Sequence, residues 1–244
     1  MKHHFLLPLL CLLPLALQAA PNPLTPQVVE YQVKYGSFSL GEARFTLETP
    51  KDHTYRYDMD SDLSLLMLSD KRKITSVFTD VDGQLQPLRF IHERTGTGKD
   101  FNEQIAFARD QGKVFSVYKG EKTKLDYDDA LYDTMMVQLQ FRLDLLRGKQ
   151  EYHYKMVKDN EIDDYRFRNL GTDTVTVPAG TYQAVRLEVA RESTKRHTEV
   201  WMAPELGYLP VRFIHKEKGS TMELVLRQAR FSSDAPAKQL AQTE

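Results

Sequence analysis

Apolar and polar residues alternate with a period of two along most of the chain. In the first run, the apolar positions are Val29, Tyr31, Val33 and Tyr35. A strand places successive side chains on opposite faces of a sheet, so this pattern predicts a strand with one dry face and one wet face. Similar alternation recurs at 43–47, 55–59, 152–156, 165–167, 185–189 and 222–226.

Turn-forming residues separate these runs at the spacing of β-hairpins. They include Gly36, Gly41, Asp82-Gly83, Asp110-Gln111-Gly112, Pro178-Ala179-Gly180 and Lys218-Gly219. The pattern predicts a mainly β fold, with about a dozen strands in a large curved antiparallel sheet or an incomplete barrel. We expect one domain over 28–231, after an irregular segment at 20–27 and before a flexible tail at 232–244.

One segment competes with the strand pattern. Between Asp133 and Gly148, apolar residues recur at helical spacing, with Asp133 as a possible N-cap and Gly148 as a stop signal. Residues 137–145 also alternate strictly, which leaves a strand as the alternative. The capping signals favour one helix near 133–147. Its apolar residues cover more than one face, so the helix would be buried against the sheet.

The first residues resemble a secretory leader. Lys2 is followed by the apolar run Phe5–Leu17, which is shorter than the about 20 residues that span a bilayer, and then by Gln18-Ala19-Ala20. This pattern predicts a signal peptide over 1–19, cleaved after Ala19, and a periplasmic protein. Cys11 lies inside the apolar run without a small residue before it, which disfavours acylation as a lipoprotein.

Composition excludes several classes of function. The chain has a formal net charge of -1; loss of Lys2 leaves 32 basic and 34 acidic residues, a net charge of -2. Without a basic cluster, nucleic acid is not an expected partner. The mature chain would have no thiol, because Cys11 is the only cysteine, and no further apolar stretch reaches membrane-spanning length. We expect no cofactor.

No pattern specific to catalysis is present. The segment 87–92 recurs as 210–215, so His92 and His215 occupy equivalent positions, but no two histidines have a metal-binding or protease spacing. Asp58, Asp60 and Asp62 alternate with apolar residues, as on a solvated strand face. A second acidic group precedes the predicted helix and comprises Asp126, Asp128, Asp129 and Asp133. We therefore expect a protein that is not an enzyme.

Several ordered motifs resemble a family of bacterial periplasmic proteins, domain-of-unknown-function family 3108. They are Val177–Tyr182, Ala184–Leu187, Glu199–Trp201 and Leu209–Arg212, preceded by the Tyr31–Tyr35 strand, the Gly83–Pro87 turn and Tyr132-Asp133. The family carries over no catalytic residues. Its general aspect is similar to that of the periplasmic lipoprotein-carrier proteins, which implies a curved antiparallel sheet around a helix and nothing about activity.

Aromatic residues on the strand faces suggest a half-apolar cavity, because tyrosine carries a polar tip on an apolar ring. We hypothesise a non-catalytic binding or chaperone-like protein for a lipid, an acyl chain or another apolar or amphipathic ligand. The expected cavity residues are Tyr31, Tyr35, Tyr57, Phe141, Tyr154 and Trp201. Two alternatives stay open: an envelope assembly protein with a packed core, which would have a protein partner, and a glycan-active enzyme that uses Asp126, Asp128 and Asp129.

Overall fold

The computed structural model describes residues 20–190 and 195–232. The predicted signal peptide and nearly all of the predicted tail lie outside these residues. The described chain contains one α-helix, α1 (Met136–Leu146), and fifteen strands. The strands are β1 (Gln27–Tyr35), β2 (Phe38–Leu47), β3 (Thr54–Leu65), β4 (Leu68–Val81), β5 (Gln84–Gly96), β6 (Phe101–Ala108), β7 (Lys113–Tyr118), β8 (Glu121–Asp126), β9 (Leu131–Tyr132), β10 (Tyr152–Lys158), β11 (Glu161–Val177), β12 (Gly180–Ala190), β13 (Arg196–Ala203), β14 (Leu209–Glu217) and β15 (Ser220–Phe231).

All fifteen strands form one sheet, in the order β8-β7-β6-β5-β4-β3-β2-β1-β15-β14-β13-β12-β11-β10-β9. Every pair is antiparallel except β9 with β10. The edge strands β8 and β9 are separated by only four residues of chain, so the sheet must curl until its two edges approach each other. This confirms the mainly β, curved and open fold. The strands number fifteen among the described residues rather than the expected dozen.

Contacts of the turn between β10 and β11 reach strands near the opposite edge of the sheet. The Asp159 amide donates a 2.7 Å hydrogen bond to Oε1 of Glu103 in β6. The Asn160 side-chain amide donates to the Glu121 carbonyl in β8 at 3.1 Å. These bonds hold the two edges of the open sheet near each other without a continuous ladder between them.

The repeated segment has the same backbone role in both copies. Pro87 in β5 and Pro210 in β14 each stand where the register with the neighbouring strand shifts, opposite Phe78 and Met202. Proline cannot donate to a strand ladder, so within sheets it is confined to edges, strand starts and irregularities of this kind. The shared sequence therefore encodes two equivalent bulges.

Helix α1 confirms the predicted helix near 133–147, and the strand alternative is wrong. Asp133 Oδ1 accepts hydrogen bonds of 2.8 Å from the amides of Met135 and Met136, which are otherwise unpaired at a helix start. Gly148 follows the helix with φ of 72°. Nine of the eleven helical residues are buried, so more than one face of α1 is covered by the rest of the protein.

The position of Gly41 in the sequence predicts a turn, but this residue lies within β2. It is opposite Leu63 of β3 and next to a register shift at Val33 in β1. Its φ is 143°, and a Cβ placed there would lie 2.4 Å from the Asp62 carbonyl oxygen. The glycine therefore allows a close approach of two strands rather than a change of chain direction.

Candidate functional site

An inner cavity of about 270 Å³ lies between helix α1 and the concave face of the sheet. Apolar and aromatic side chains form nearly all of its wall, as in sites for apolar ligands. The lining residues are Tyr31, Phe45, Tyr57, Val137, Gln138, Phe141, Arg142, Tyr154, Met156, Phe167, Val200, Met202, Leu209, Pro210, Phe213 and Leu224. They come from α1 and from strands on both sides of β1.

Four of the six predicted site residues meet in this cavity: Tyr31, Tyr57, Phe141 and Tyr154. Phe141 packs against Tyr154 and Phe167, with ring centroids 5.4 and 4.7 Å away. The Tyr154 hydroxyl is turned to the helix, where it donates a 2.9 Å hydrogen bond to Asp144. The tyrosines thus present their rings to the cavity while some of their hydroxyls are satisfied elsewhere.

An outer cavity of about 620 Å³ adjoins the inner one, because Phe45 and Leu224 line both. Tyr35, the fifth predicted residue, lines the outer cavity. Its wall is also mainly apolar and includes Val33, Leu40, Ala43, Met59, Leu63, Leu65, Leu68 and Met222. The two cavities together extend along β1, from Tyr31 to Tyr35.

Trp201, the sixth predicted residue, does not reach either cavity. Its neighbours Val200 and Met202 line the inner cavity, so the alternation of side chains along β13 directs Trp201 to the convex face. There the indole lies between the guanidinium groups of Arg186 and Arg212, at 5.3 and 5.2 Å. It is nevertheless only 5 % exposed.

Arg142 is the most polar group in the inner cavity, and it is not among the residues predicted from the sequence to form the site. Its Nε donates to the Gly207 carbonyl at 3.0 Å, and its Nη1 donates to Oε1 of Gln27 at 3.1 Å. Burial lowers the pKa of Arg142 to about 10, and the nearby Tyr57 and Tyr31 oppose this shift. Arg142 is one of the polar residues that alternate with apolar residues over 138–144. The same alternation is expected for a strand with a solvated face, so it does not mark Arg142 as a site residue.

Exposed apolar side chains continue from the outer cavity to the tip of the β3–β4 hairpin. Leu65 and Leu68 line the cavity, whereas Leu66 and Met67 between them are 97 % and 96 % exposed. Leu66 has φ of 55°, an uncommon conformation for leucine. The mouth of the outer cavity is therefore apolar at its rim.

A polar group also faces the outer cavity. Asp70 accepts hydrogen bonds from Nε of Arg72 at 2.7 Å and from Nε of Arg94 at 2.8 Å. These two arginines lower the pKa of Asp70 even though burial opposes the shift. The two arginines and the one aspartate therefore give the mouth of the outer cavity an excess of one positive charge.

The acidic residues before α1 are divided among separate partners on the surface. Asp126 pairs with Lys113, Asp128 lies 3.2 Å from Nζ of Lys155, and Asp129 lies 3.2 Å from Nε of Arg109. The fourth member, Asp133, is instead the buried helix cap. Asp58, expected on a solvated face, is buried and bonded to Arg56 and Thr75.

The two repeated histidines lie apart from the cavities, in different settings. His92 packs at 4.9 Å from the Phe101 ring, and burial lowers its pKa to about 4. His215 bonds to Oγ1 of Thr198 at 2.8 Å. Within residues 20–190 and 195–232, no group of three or more His, Cys, Asp or Glu is placed to hold a metal ion.

The fold is similar to that of a solved β-barrel-like protein of the DUF1849 family from Brucella abortus. The two chains are 10 % identical, the TM-score is 0.56, and the match covers 86 % of this chain and 98 % of the other. A candidate lipoprotein from Parabacteroides distasonis, at 10 % identity and with a TM-score of 0.34, matches over 84 % of this chain and 95 % of its own. The first likeness supports the fold alone.

No curated protein shows significant similarity to this chain. Among the described residues, no helix has the length and apolar character needed to cross a membrane. A family model does match the sequence, over residues 30–226, and this range includes every residue that lines the two cavities. The chain therefore belongs to DUF3108, a family described as proteins of unknown function.

Proposed function

We propose that this protein is a non-catalytic periplasmic binding protein for an apolar or amphipathic ligand, such as a lipid or an acyl chain. The observation that carries the proposal is the pair of adjoining, mainly apolar cavities on the concave face. Apolar surface of this kind gains free energy when a hydrocarbon chain replaces water, at roughly 25 cal/mol per Å² buried. The compartment is inferred from the predicted leader over 1–19.

The cavities have the dimensions of an elongated site. Along β1, Tyr31 lines the inner cavity and Tyr35 the outer one, and Phe45 and Leu224 line both. An extended ligand can follow β1 through both. The envelope assembly alternative assumed a packed interior, so the cavities favour ligand binding over it. The glycan-active alternative needs two carboxyl groups at one cleft, whereas Asp126 and Asp129 pair with separate surface bases.

The first experiment asks whether the cavities hold ligand. The mature chain is purified, its organic extract is analysed by mass spectrometry, and the delipidated protein is titrated with a fluorescent fatty acid such as cis-parinaric acid. We expect a co-purified acyl compound or saturable binding of the probe, together with a rise in Tm on adding palmitate. The absence of all three results would contradict the proposal.

A matched pair of variants locates the binding. Leu224→Trp places a large ring at the junction of the two cavities, whereas Leu88→Trp adds the same ring at a 42 % exposed position that lines neither of them. We expect Leu224→Trp to weaken probe binding by about tenfold or more and Leu88→Trp to change it by less than about twofold. Equal effects would place the probe outside the cavities.

A further inference from the structure

The guanidinium of Arg142, a residue that lines the inner cavity, is held by neutral groups alone. Its three nitrogen atoms donate to the Gly207 carbonyl, to Oε1 of Gln27 and, at 3.4 Å, to the Leu206 carbonyl. A guanidinium has five N–H donors. One N–H on each terminal nitrogen therefore has no acceptor among the described residues.

No carboxylate of the described chain forms an ion pair with Arg142, although the side chain is only 1 % exposed. Burial of a charge is costly unless the charge is paired. The carboxyl group on α1, that of Asp144, is engaged by Lys149, by the side-chain amide of Gln140 and by the hydroxyl of Tyr154. The positive charge of Arg142 is thus left for another partner.

Two phenols accompany this cation. Tyr31 and Tyr57 each interact electrostatically with Arg142. The Tyr31 hydroxyl donates to the Pro210 carbonyl at 2.8 Å. The Tyr57 hydroxyl forms no hydrogen bond with another described residue, so it is available as a donor to a ligand.

We infer that the inner cavity recognises the carboxylate of a single-chain amphiphile such as a fatty acid, with Arg142 and Tyr57 as the groups that bind the head. The inference rests on the proposed function and specifies its ligand class. The free N–H groups on the two terminal nitrogens of Arg142 match the two oxygens of a carboxylate. The hydrocarbon chain then runs outward through the apolar outer cavity.

The length of the site agrees with this orientation. Gln27, which is bonded to Arg142, and Tyr35, at the outer cavity, are eight residues apart on β1, or about 26 Å along the strand at 3.3 Å per residue, and the part from Tyr31 to Tyr35 lines the cavities. The hydrocarbon of one bilayer leaflet is about 15 Å thick, half of the bilayer core of about 30 Å. One long acyl chain with its head group therefore fits between these ends.

The decisive test compares two ligands of equal chain length on the wild-type mature protein. Palmitic acid and 1-hexadecanol displace the same fluorescent probe, and their affinities are compared at pH 8, where the acid is ionised. We expect the acid to bind about tenfold or more tightly, because hydrogen bonds to a charged group are strong when buried. Equal affinities would overturn the inference and leave the proposed function standing, whereas binding of neither ligand would contradict both.

Variants then assign the preference to residues. Arg142→Met is expected to abolish the preference for the acid, and Tyr57→Phe to reduce it by a few-fold. The control Arg147→Met removes an arginine from the end of the same helix, where it bonds to the Gly83 carbonyl, and should keep the preference. If Arg142→Met retains the preference and Arg72→Met loses it, the head group binds at the mouth and the inference is wrong. Tyr57→Phe and the ligand comparison decide the question even if Arg142→Met does not fold.

Discussion

The Ser76 hydroxyl donates a 2.6 Å hydrogen bond to Oδ2 of Asp133, which connects β4 of the sheet to the start of helix α1. The other carboxylate oxygen accepts the amides of Met135 and Met136. One buried side chain therefore caps the helix and also anchors it to the wall of the barrel-like sheet. The position of the helix, and with it the inner cavity, depends on this carboxyl group.

Asp133 makes the stability of the fold sensitive to pH. Burial raises its pKa from 3.8 to about 6, against the opposing effect of its three hydrogen bonds. Between about pH 4 and pH 6 the folded state holds a proton that the unfolded state has lost, so the free energy of unfolding falls as pH rises through this window. At 1.36 kcal/mol per pKa unit, this contribution amounts to about 3 kcal/mol.

The Asp133→Asn variant isolates this effect, because asparagine can also cap a helix but does not ionise. We expect the free energy of unfolding of the variant, relative to that of the wild type, to increase by up to about 3 kcal/mol from pH 4 to pH 7. Urea titrations of both proteins at the two pH values measure this difference. A relative stability that is independent of pH would show that Asp133 titrates normally.

The fold could be predicted from the sequence because its signals are local. Alternation in runs such as 29–35 requires only that one face of a strand is dry, and the helix was marked by the cap at Asp133 and the stop at Gly148. The number of strands was underestimated because polar strands such as β8 (Glu121–Asp126) show little alternation. Gly41 was misassigned because a glycine at a close strand contact has the same appearance in sequence as one in a turn.

The candidate site was less accessible to sequence reasoning, because a cavity depends on which distant strands face each other. Tyr31, Tyr57 and Tyr154 could be proposed because the alternation along their strands places them on the apolar face. Trp201 was included for its residue type, although its neighbours Val200 and Met202 occupy the inward positions. Arg142 gave no distinguishing signal, since only the tertiary structure shows that it is buried without a carboxylate partner.

Gly41 should be much less tolerant of alanine than Gly36. Both have positive φ values, 143° and 57°, but a Cβ at Gly41 would lie 2.4 Å from a backbone oxygen, whereas nothing lies within 4 Å of one at Gly36. We expect Gly36→Ala to cost about 1 kcal/mol for the conformation alone, and Gly41→Ala to cost at least about 2 kcal/mol more. Chemical denaturation measures both; similar costs would mean that β2 and β3 can separate freely at Asp62.

Leu66 is predicted to lower the stability of the fold relative to a residue that adopts positive φ more readily. The side chain is 97 % exposed and the residue has φ of 55°. Asparagine adopts this region more readily than leucine, so Leu66→Asn should raise the free energy of unfolding by about 0.5–1 kcal/mol. The control Met67→Asn changes an equally exposed neighbour whose φ is not positive and should have little effect on stability. A loss of stability in Leu66→Asn would show that the leucine makes stabilising contacts at the hairpin tip.

Trp201 should contribute to stability but not to ligand binding. Its indole N–H donates a 3.0 Å hydrogen bond to Asp173, and the ring lies between Arg186 and Arg212 on the convex face. Trp201→Phe removes the hydrogen bond and weakens both cation–π contacts, so we expect a cost of about 1–3 kcal/mol in the free energy of unfolding. Circular dichroism measures this change, since Trp201 is the only tryptophan and its fluorescence is lost.

The matched change on the concave side is Phe141→Leu, which alters the wall of the inner cavity. We expect this variant to weaken binding of the acyl probe by several-fold and Trp201→Phe to change it by less than about twofold. The two variants should differ because the sheet separates the Trp201 ring from the inner cavity, whereas the Phe141 ring lines that cavity. If the two variants weaken binding equally, the convex face takes part in ligand binding and the concave site is not sufficient.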